Sequence, residues 1–241
     1  MPINSAEIVA AIKKITKVDN DFLEVARAKD AESMKAVLHN KSQLGDVALS
    51  ATINLKPREK LEGKTFSSIK KAAVKKALTL LIRKYSNYEV LVVVANATNP
   101  NEVRKVLHEQ KELGNISFAD HIEDNFLLTE SDIDEIKLDA AERAVKVSIE
   151  KATLGLMESI LRVANASSID DVRMVLQELA STLRLSPASL APLSNLALMR
   201  IRHVAAKKVV NESIRAIPKN ANTDQINTLV MFLRSEDGNA A

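Results

Sequence analysis

The chain is predicted to be all-α, a tandem array of helical repeats, on three observations. A motif returns at a fixed interval: Val25-Ala26-Arg27-Ala28, Val94-Ala95-Asn96-Ala97 and Val163-Ala164-Asn165-Ala166 stand 69 residues apart. Behind each copy the same apolar positions follow, Met34, Val37 and Leu38, then Val103, Val106 and Leu107, then Val172, Val175 and Leu176. Aligned apolar positions at a long fixed period mark one supersecondary unit copied in tandem. Five Gly and six Pro in 241 residues are too few for a turn-rich β sandwich or barrel. Aromatic residues make up 3% and Trp is absent, so a core drawn from the 46% hydrophobic content is one of Leu, Ile, Val and Ala. The expected organisation is a first repeat at 1–55, a second at 56–125, a third at 126–192 and C-terminal capping helices at 193–241.

Each unit opens with a basic amphipathic helix: Ile8 to Ile15, Ile69 to Lys84, and Ile136 to Lys151. In the second, Ala73, Ala77, Leu80 and Leu81 share one side at helical spacing while Lys71 and Lys75 fall on the other, predicting their exposure. A short apolar element follows, Phe22 to Ala28, Val90 to Ala97, and Ile160 to Ala166. Val90-Leu91-Val92-Val93-Val94 alone has strand propensity, but its counterparts are helical in pattern, so a helix is predicted for all three. The third element begins after Asp30, Asn99 or Ser168, each an N-cap type whose side-chain oxygen accepts from an orphan backbone N–H. Pro100 then takes the first helical position, and Glu102 and Asp171 the capping-box position. Val37, Val106 and Val175 are expected in the core with Leu38, Leu107 and Leu176. Leu44-Gly45 and Leu113-Gly114 predict helix ends with a left-handed glycine, whereas Leu183 to Pro187 has no Gly and requires another turn. Asn96 and Asn165 fit left-handed helix ends as well. A last helix runs from about Ser194 to Ala216 before Pro218, and Ile226 to Leu233 resembles the apolar element of a fourth copy. Junctions are expected at Asn54 to Lys64, Thr129 to Asp134 and Lys219 to Thr223.

The net charge of +3 conceals a segregated distribution, +7 over residues 1–90, −7 over 91–150 and +3 over 151–241. Lys56, Arg58, Lys60, Lys64, Lys70, Lys71, Lys75, Lys76, Arg83 and Lys84 form the densest basic run. Of these, Lys70, Lys71, Lys75, Lys76, Arg83 and Lys84 are the candidate anion-binding residues, for phosphates of nucleic acid or anionic lipid. The competing account is a solvated helix face balanced by acidic residues. With few aromatics, single-strand recognition by stacking is not expected.

Absence of Cys excludes disulfides, thiolate metal sites and cysteine nucleophiles. His39 and His108 are repeat-equivalent, which favours a structural role. His121 lies near Asp120, Glu123 and Asp124 without metal-ligand spacing. The run Glu130, Asp132, Asp134, Glu135 lacks an EF-hand glycine and reads as helix capping. GxxxxGK[ST], GxGxxG and GxSxG do not occur. No catalytic residue, metal or cofactor is expected. The N-terminus has no secretory signal pattern, and the most apolar run, Val90 to Ala95, is too short for a membrane span.

Long Lys-, Asn-, Ser- and Ile-containing helices in degenerate repeats, without Cys or Trp, resemble effector proteins that intracellular bacteria such as Legionella translocate. The resemblance covers the whole chain and carries no site residues. It implies action inside a host cell through a protein or membrane partner, after export by a non-classical signal; otherwise the location expected is cytoplasmic. The leading expectation is a non-enzymatic protein-interaction module, a scaffold or adaptor. The alternative is a phosphate-, nucleic-acid- or anionic-lipid-binding domain using the Lys56–Lys84 stripe, and a third is a hydrolase with carboxylates dispersed in sequence.

Overall fold

A computed structural model describes residues 5–40, 43–49, 61, 63–110 and 128–216. Lys56, Arg58, Lys60, Gly114, the His121 group, Lys219 to Thr223 and Ile226 to Leu233 lie outside them. The described residues are predominantly helical and fall into two compact units, 1–144 and 145–241, which part within one long helix.

In the first unit, α1 (Ser5–Lys14), α2 (Asn20–Arg27) and α3 (Ala31–Asn40) precede a short hairpin, β1 (Gln43–Leu44) and β2 (Val47–Ala48). Then come α4 (Gly63–Lys84), α5 (Tyr88–Asn96), α6 (Pro100–Glu109) and α7 (Glu130–Lys151), the last crossing into the second unit. Helix α4 packs on both α1 and α2. Its buried side carries Ile69, Ala73, Val74, Ala77 and Leu78, an i, i+4 pattern doubled into a broad apolar stripe. Residues 88–96 are helical, so burial overrides strand propensity: Leu91, Val92, Val94 and Ala95 are all inside.

The second unit holds a 3-10 turn (Leu154–Leu156), α8 (Met157–Ala164), α9 (Ile169–Glu178), the single turn α10 (Pro187–Leu190) and α11 (Asn195–Ala216). Helices α8 and α9 both pack on α11.

The caps of α3, α6 and α9 form as the sequence predicts. Asp30 accepts from Ser33 N at 2.7 Å, Asn99 from Glu102 N at 3.0 Å and Ser168 from Asp171 N at 3.1 Å. Asp171 completes a capping box by accepting from Ser168 N, whereas Glu102 reaches one residue further back, to Thr98 N. Asp19 and Asn87 cap α2 and α5 in the same way. Thr129 to Asp134 is the start of α7: Asp132 accepts from Thr129 N and Oγ1, and Thr129 Oγ1 accepts from Asp132 N.

Three sequence expectations change, and the different turn expected at Leu183 to Pro187 is found. Gly45 is left-handed (φ +58°) but turns the β1–β2 hairpin and does not end α3. A Cβ there would lie 2.4 Å from Lys17 O, so the close approach to the end of α1 requires glycine. Asp46 beside it accepts from Thr16 N, Thr16 Oγ1 and Lys17 N. Neither Asn96, the last residue of α5, nor Asn165 (φ −92°) is left-handed; among the described residues the only non-glycine with positive φ is Arg184 (φ 50°). Arg184 supplies the turn at Leu183 to Pro187, where the sequence has no glycine: Leu185 N donates to Ala180 O and Arg184 N to Ser181 O, a Schellman pattern. Leu38, Leu107, Leu176 and Val175 are buried, but Val37 and Val106 are half-buried. The inward rows of α3 and α6 are Met34–Leu38 and Val103–Leu107, leaving the two valines at the edge.

Candidate functional site

The basic stripe lies on α4, and the fold sends its members to different partners. Lys70 is buried, its ammonium donating to the Ala28 carbonyl beyond α2 and lying 5.7 Å from the centre of the Phe66 ring. Burial lowers its pKa from the ordinary lysine value, and the nearby Asp30 charge opposes that. Lys76 Nζ donates to Lys13 O in the last turn of α1 at 2.9 Å. Lys71 and Lys75, expected on a solvent face, are half-buried and meet α7: Lys71 Nζ is 3.0 Å from Asp132, and Lys75 Nζ is 2.8 Å from both Asp132 and Glu135. Arg83 is 2.8 Å from Asp139. Lys84 is exposed.

Asp132, Glu135 and Asp139 present one face of α7, at i, i+3 and i+7, because its N-terminal capping box fixes where the helix starts. Partial burial pushes the Asp132 carboxyl up, but hydrogen bonds from Lys75 and Thr129, together with Lys71, hold it well below the usual carboxylate range. For Lys75 burial pulls down, and the bonds to Asp132 and Glu135 outweigh it, leaving the ammonium above its ordinary value. Asp139 goes the other way: burial raises it, and the Arg83 charge only partly offsets that. The arrangement is a partly buried ion-pair seam between α4 and α7.

Lys70 and Lys76 belong to a wider set of cations whose other members, Arg143, Arg202 and Lys208, sequence reasoning missed. Helices α4, α7 and α11 are each 22 residues long. The fourteenth residue of each is basic and donates to a carbonyl at or just past the C-terminus of an earlier helix. Lys76 bonds Lys13 O, Arg143 bonds Tyr85 O at 2.8 Å, and Lys208 bonds Glu150 O at 3.3 Å. Such donors satisfy terminal carbonyls and complement the helix dipole. The eighth residues, Lys70 and Arg202, bond Ala28 O and Ala164 O, while Lys137 between them pairs with Asp134. Arg104 and Arg173 donate to Leu128 O and Leu193 O, each two residues before a long helix. The available signal was the alignment of long helices, which puts Lys70, Lys137 and Arg202 in one column and Lys76, Arg143 and Lys208 in another.

In the second unit an open groove of about 360 Å³ is lined by Glu150, His203, Lys207, Lys208, Glu212 and Arg215 among others. Glu212 accepts from Lys208 at 3.1 Å and from Arg215 at 2.9 Å, and Lys208 holds its carboxyl below the ordinary range. A general acid requires the opposite shift. An apolar void of about 10 Å³ near Val145, Ile160 and Leu176 is no larger than one water. His39 and His108 are exposed in the last turns of α3 and α6. Among the described residues no cluster of His, Cys, Asp or Glu has the arrangement of a metal site, and no helix is long and apolar enough to cross a membrane.

Positions 2 and 5 of the three long helices point to solvent. They are Lys64 and Ser67 in α4, Ser131 and Asp134 in α7, but Leu196 and Met199 in α11. Leu196 is 60% and Met199 56% exposed. Met174 on the neighbouring α9, 53% exposed, stands where α6 has Lys105. No protein-family model matches the chain, and no curated protein matches it.

Proposed function

We propose that this chain is a non-enzymatic helical-repeat interaction module, a scaffold or adaptor that binds a protein partner through an apolar surface on α9 and α11. The repeat unit in this reading is a long helix followed by two short ones. In support, α4, α7 and α11 share a length and a basic fourteenth residue. The ten-residue helices α3, α6 and α9 begin at 31, 100 and 169 behind side-chain caps. The observation that carries the functional reading is the exposure of Leu196 and Met199 at positions that are polar in α4 and α7. Apolar side chains at solvent positions gain nothing for the fold and favour association, and the flexible thioethers of Met174 and Met199 adapt to a partner. Lys70, Lys76, Arg143, Arg202 and Lys208 serve backbone carbonyls and Lys71, Lys75 and Arg83 serve ion pairs, which supports a structural role for these cations. In this reading, which follows the resemblance to translocated effectors, the partner is a host-cell protein.

The test starts from proteins retained by the immobilised chain and identified by mass spectrometry, the tightest being titrated against purified protein. Leu196→Ser with Met199→Ser should weaken that binding at least about tenfold, on the order of 1.4 kcal/mol, with an unchanged thermal midpoint. Equal affinity of the variant removes this surface from the function. The phosphate- or lipid-binding alternative draws on the same α4 cations that Asp132, Glu135 and Asp139 engage. Binding of duplex DNA or anionic vesicles that falls steeply as salt rises from about 50 mM would favour it.

A further inference from the structure

On α4 the flank turned to α7 carries two interleaved rows. Lys71, Lys75 and Arg83, at positions 9, 13 and 21 of the helix, meet Asp132, Glu135 and Asp139. Val74, Leu78 and Ile82, at positions 12, 16 and 20, are buried beside them. Helix α11 repeats both rows at the same positions, His203, Lys207 and Arg215 forming the basic row and Ala206, Val210 and Ile214 the apolar one. Among the described residues no carboxylate pairs with the exposed His203 or Lys207, and Arg215 pairs only with Glu212 of its own helix. The open groove of about 360 Å³ lies along this basic row. Ile214 is 49% exposed, and Leu196 and Met199, at positions 2 and 5, extend the same face towards the start of α11.

We infer that this face of α11 is the docking site for an acidic amphipathic helix of a protein partner, with carboxylates spaced i, i+3 and i+7 beside an apolar row. The inference rests on the reading of α11 as a partner-binding surface and names the chemistry of that partner. Charge complementarity carries it. Helix α11 holds Arg200, Arg202, Lys207, Lys208 and Arg215 against the single carboxylate of Glu212. What such a basic row accepts is visible on α7, where Asp132, Glu135 and Asp139 stand with Ile133, Ile136 and Ala140 buried alongside. Within these 241 residues that carboxylate spacing occurs once, at those three positions, which α4 already engages. A second copy would therefore have to give up its own α4–α7 seam to supply it. A separate acidic helix fills the row without that loss, its apolar side chains lying against Leu196, Met199, Val210 and Ile214.

The probe is a fluorescein-labelled synthetic peptide of residues 128–151, titrated with the full chain and followed by anisotropy. It should bind saturably, and His203→Glu with Lys207→Glu should weaken it at least about tenfold. Both side chains are exposed, so the thermal midpoint should not move; if it falls, His203→Ala with Lys207→Ala takes the place of the pair and should also weaken binding. A peptide carrying Asp132→Lys, Glu135→Lys and Asp139→Lys should bind the glutamate variant and not the wild type. Absence of saturable binding up to about 1 mM peptide overturns the inference. So does equal affinity of the charge-reversed chain, which places the peptide elsewhere, the α4 seam included. Adhesion to phosphatidylserine vesicles that the same reversal abolishes, without peptide binding, gives the face to a membrane and overturns it too. Leu196→Ser with Met199→Ser, measured on the partner retained by the immobilised chain, tests the apolar surface by itself. Loss in that variant, with full affinity of the charge-reversed chain for the same partner, leaves the apolar surface standing and overturns the acidic helix.

Discussion

Helices α4 and α11 have the same length and comparable apolar registers, but their surroundings differ. On α4 the stripe Val74, Leu78 and Ile82 is buried and the adjoining lysines are answered by an acidic helix. On α11 the corresponding Ala206, Val210 and Ile214 are half-covered or exposed, and the first two turns show Leu196 and Met199 to solvent. The difference teaches that a helix's pattern says which face wants cover, while the neighbours decide how much cover it receives. It also separates two kinds of cation, those that hold helices together and those that merely solvate a face.

The largest effect should sharpen that distinction. Lys70→Glu places a carboxylate against the Ala28 carbonyl in a buried position and should cost about 3–5 kcal/mol, the scale of an uncompensated buried charge. Arg202→Glu, at the same position of the half-buried α11 site, should cost about 1 kcal/mol. Urea midpoints of the two variants measure the gap, and equal losses would break the comparison. A replacement of Lys70, Lys71, Lys75 and Lys76 together is therefore a test of stability before it is a test of anion binding.

Leu78→Ala on α4 should cost about 2–5 kcal/mol through lost burial and a cavity. Val210→Ala, in the same register of α11, should cost about 1 kcal/mol or less. The same denaturation series reads both.

Asp132→Asn should cost about 1–3 kcal/mol at neutral pH, because two ammonium groups and a capping box lose their acceptor charge. The folded-state pKa of Asp132 lies below the unfolded value of 3.8. Its contribution is thus present above that value and lost as pH falls through the folded one. The gap between wild type and Asp132→Asn should narrow as urea titrations move from pH 7 to about 3. Asp139 has the opposite sign. Its raised pKa means ionisation weakens the folded state, so Asp139→Asn should compare best with wild type at neutral pH and lose that advantage in acid. Parallel pH profiles for the two variants would contradict the assigned shifts.

The smallest effect concerns the turn after α9. Arg184→Gly relieves the left-handed strain of a non-glycine residue, worth about 1–2 kcal/mol, and loses part of that gain to chain entropy. A thermal midpoint raised by a net stabilisation of about 0.5–1 kcal/mol is expected, and a lowered one would assign the Arg184 side chain a contact that outweighs the strain.

By itself the sequence determined the helical class, the start of α3, α6 and α9, and the last helix Asn195–Ala216. A cap is a hydrogen bond spanning three residues, and a helix face is a 3.6-residue period, so both are written in near neighbours. Helicity at Val90 to Val94 became legible only by setting it beside the similar segments Phe22 to Ala28 and Ile160 to Ala166, since its own propensity points to a strand. What the tertiary structure alone decided was the fate of the long side chains and of two turns. Lys71 and Lys75 found Asp132 and Glu135 roughly sixty residues on, and Lys70 and Lys76 found carbonyls of α2's end and α1. Gly45 took the β1–β2 turn with φ +58°, where Lys17 O leaves no room for a side chain, and Arg184 accepted a left-handed backbone that composition gave no reason to expect. A lysine's four-carbon stem reaches whichever acceptor the packing brings near, and that choice is made by elements distant in the chain.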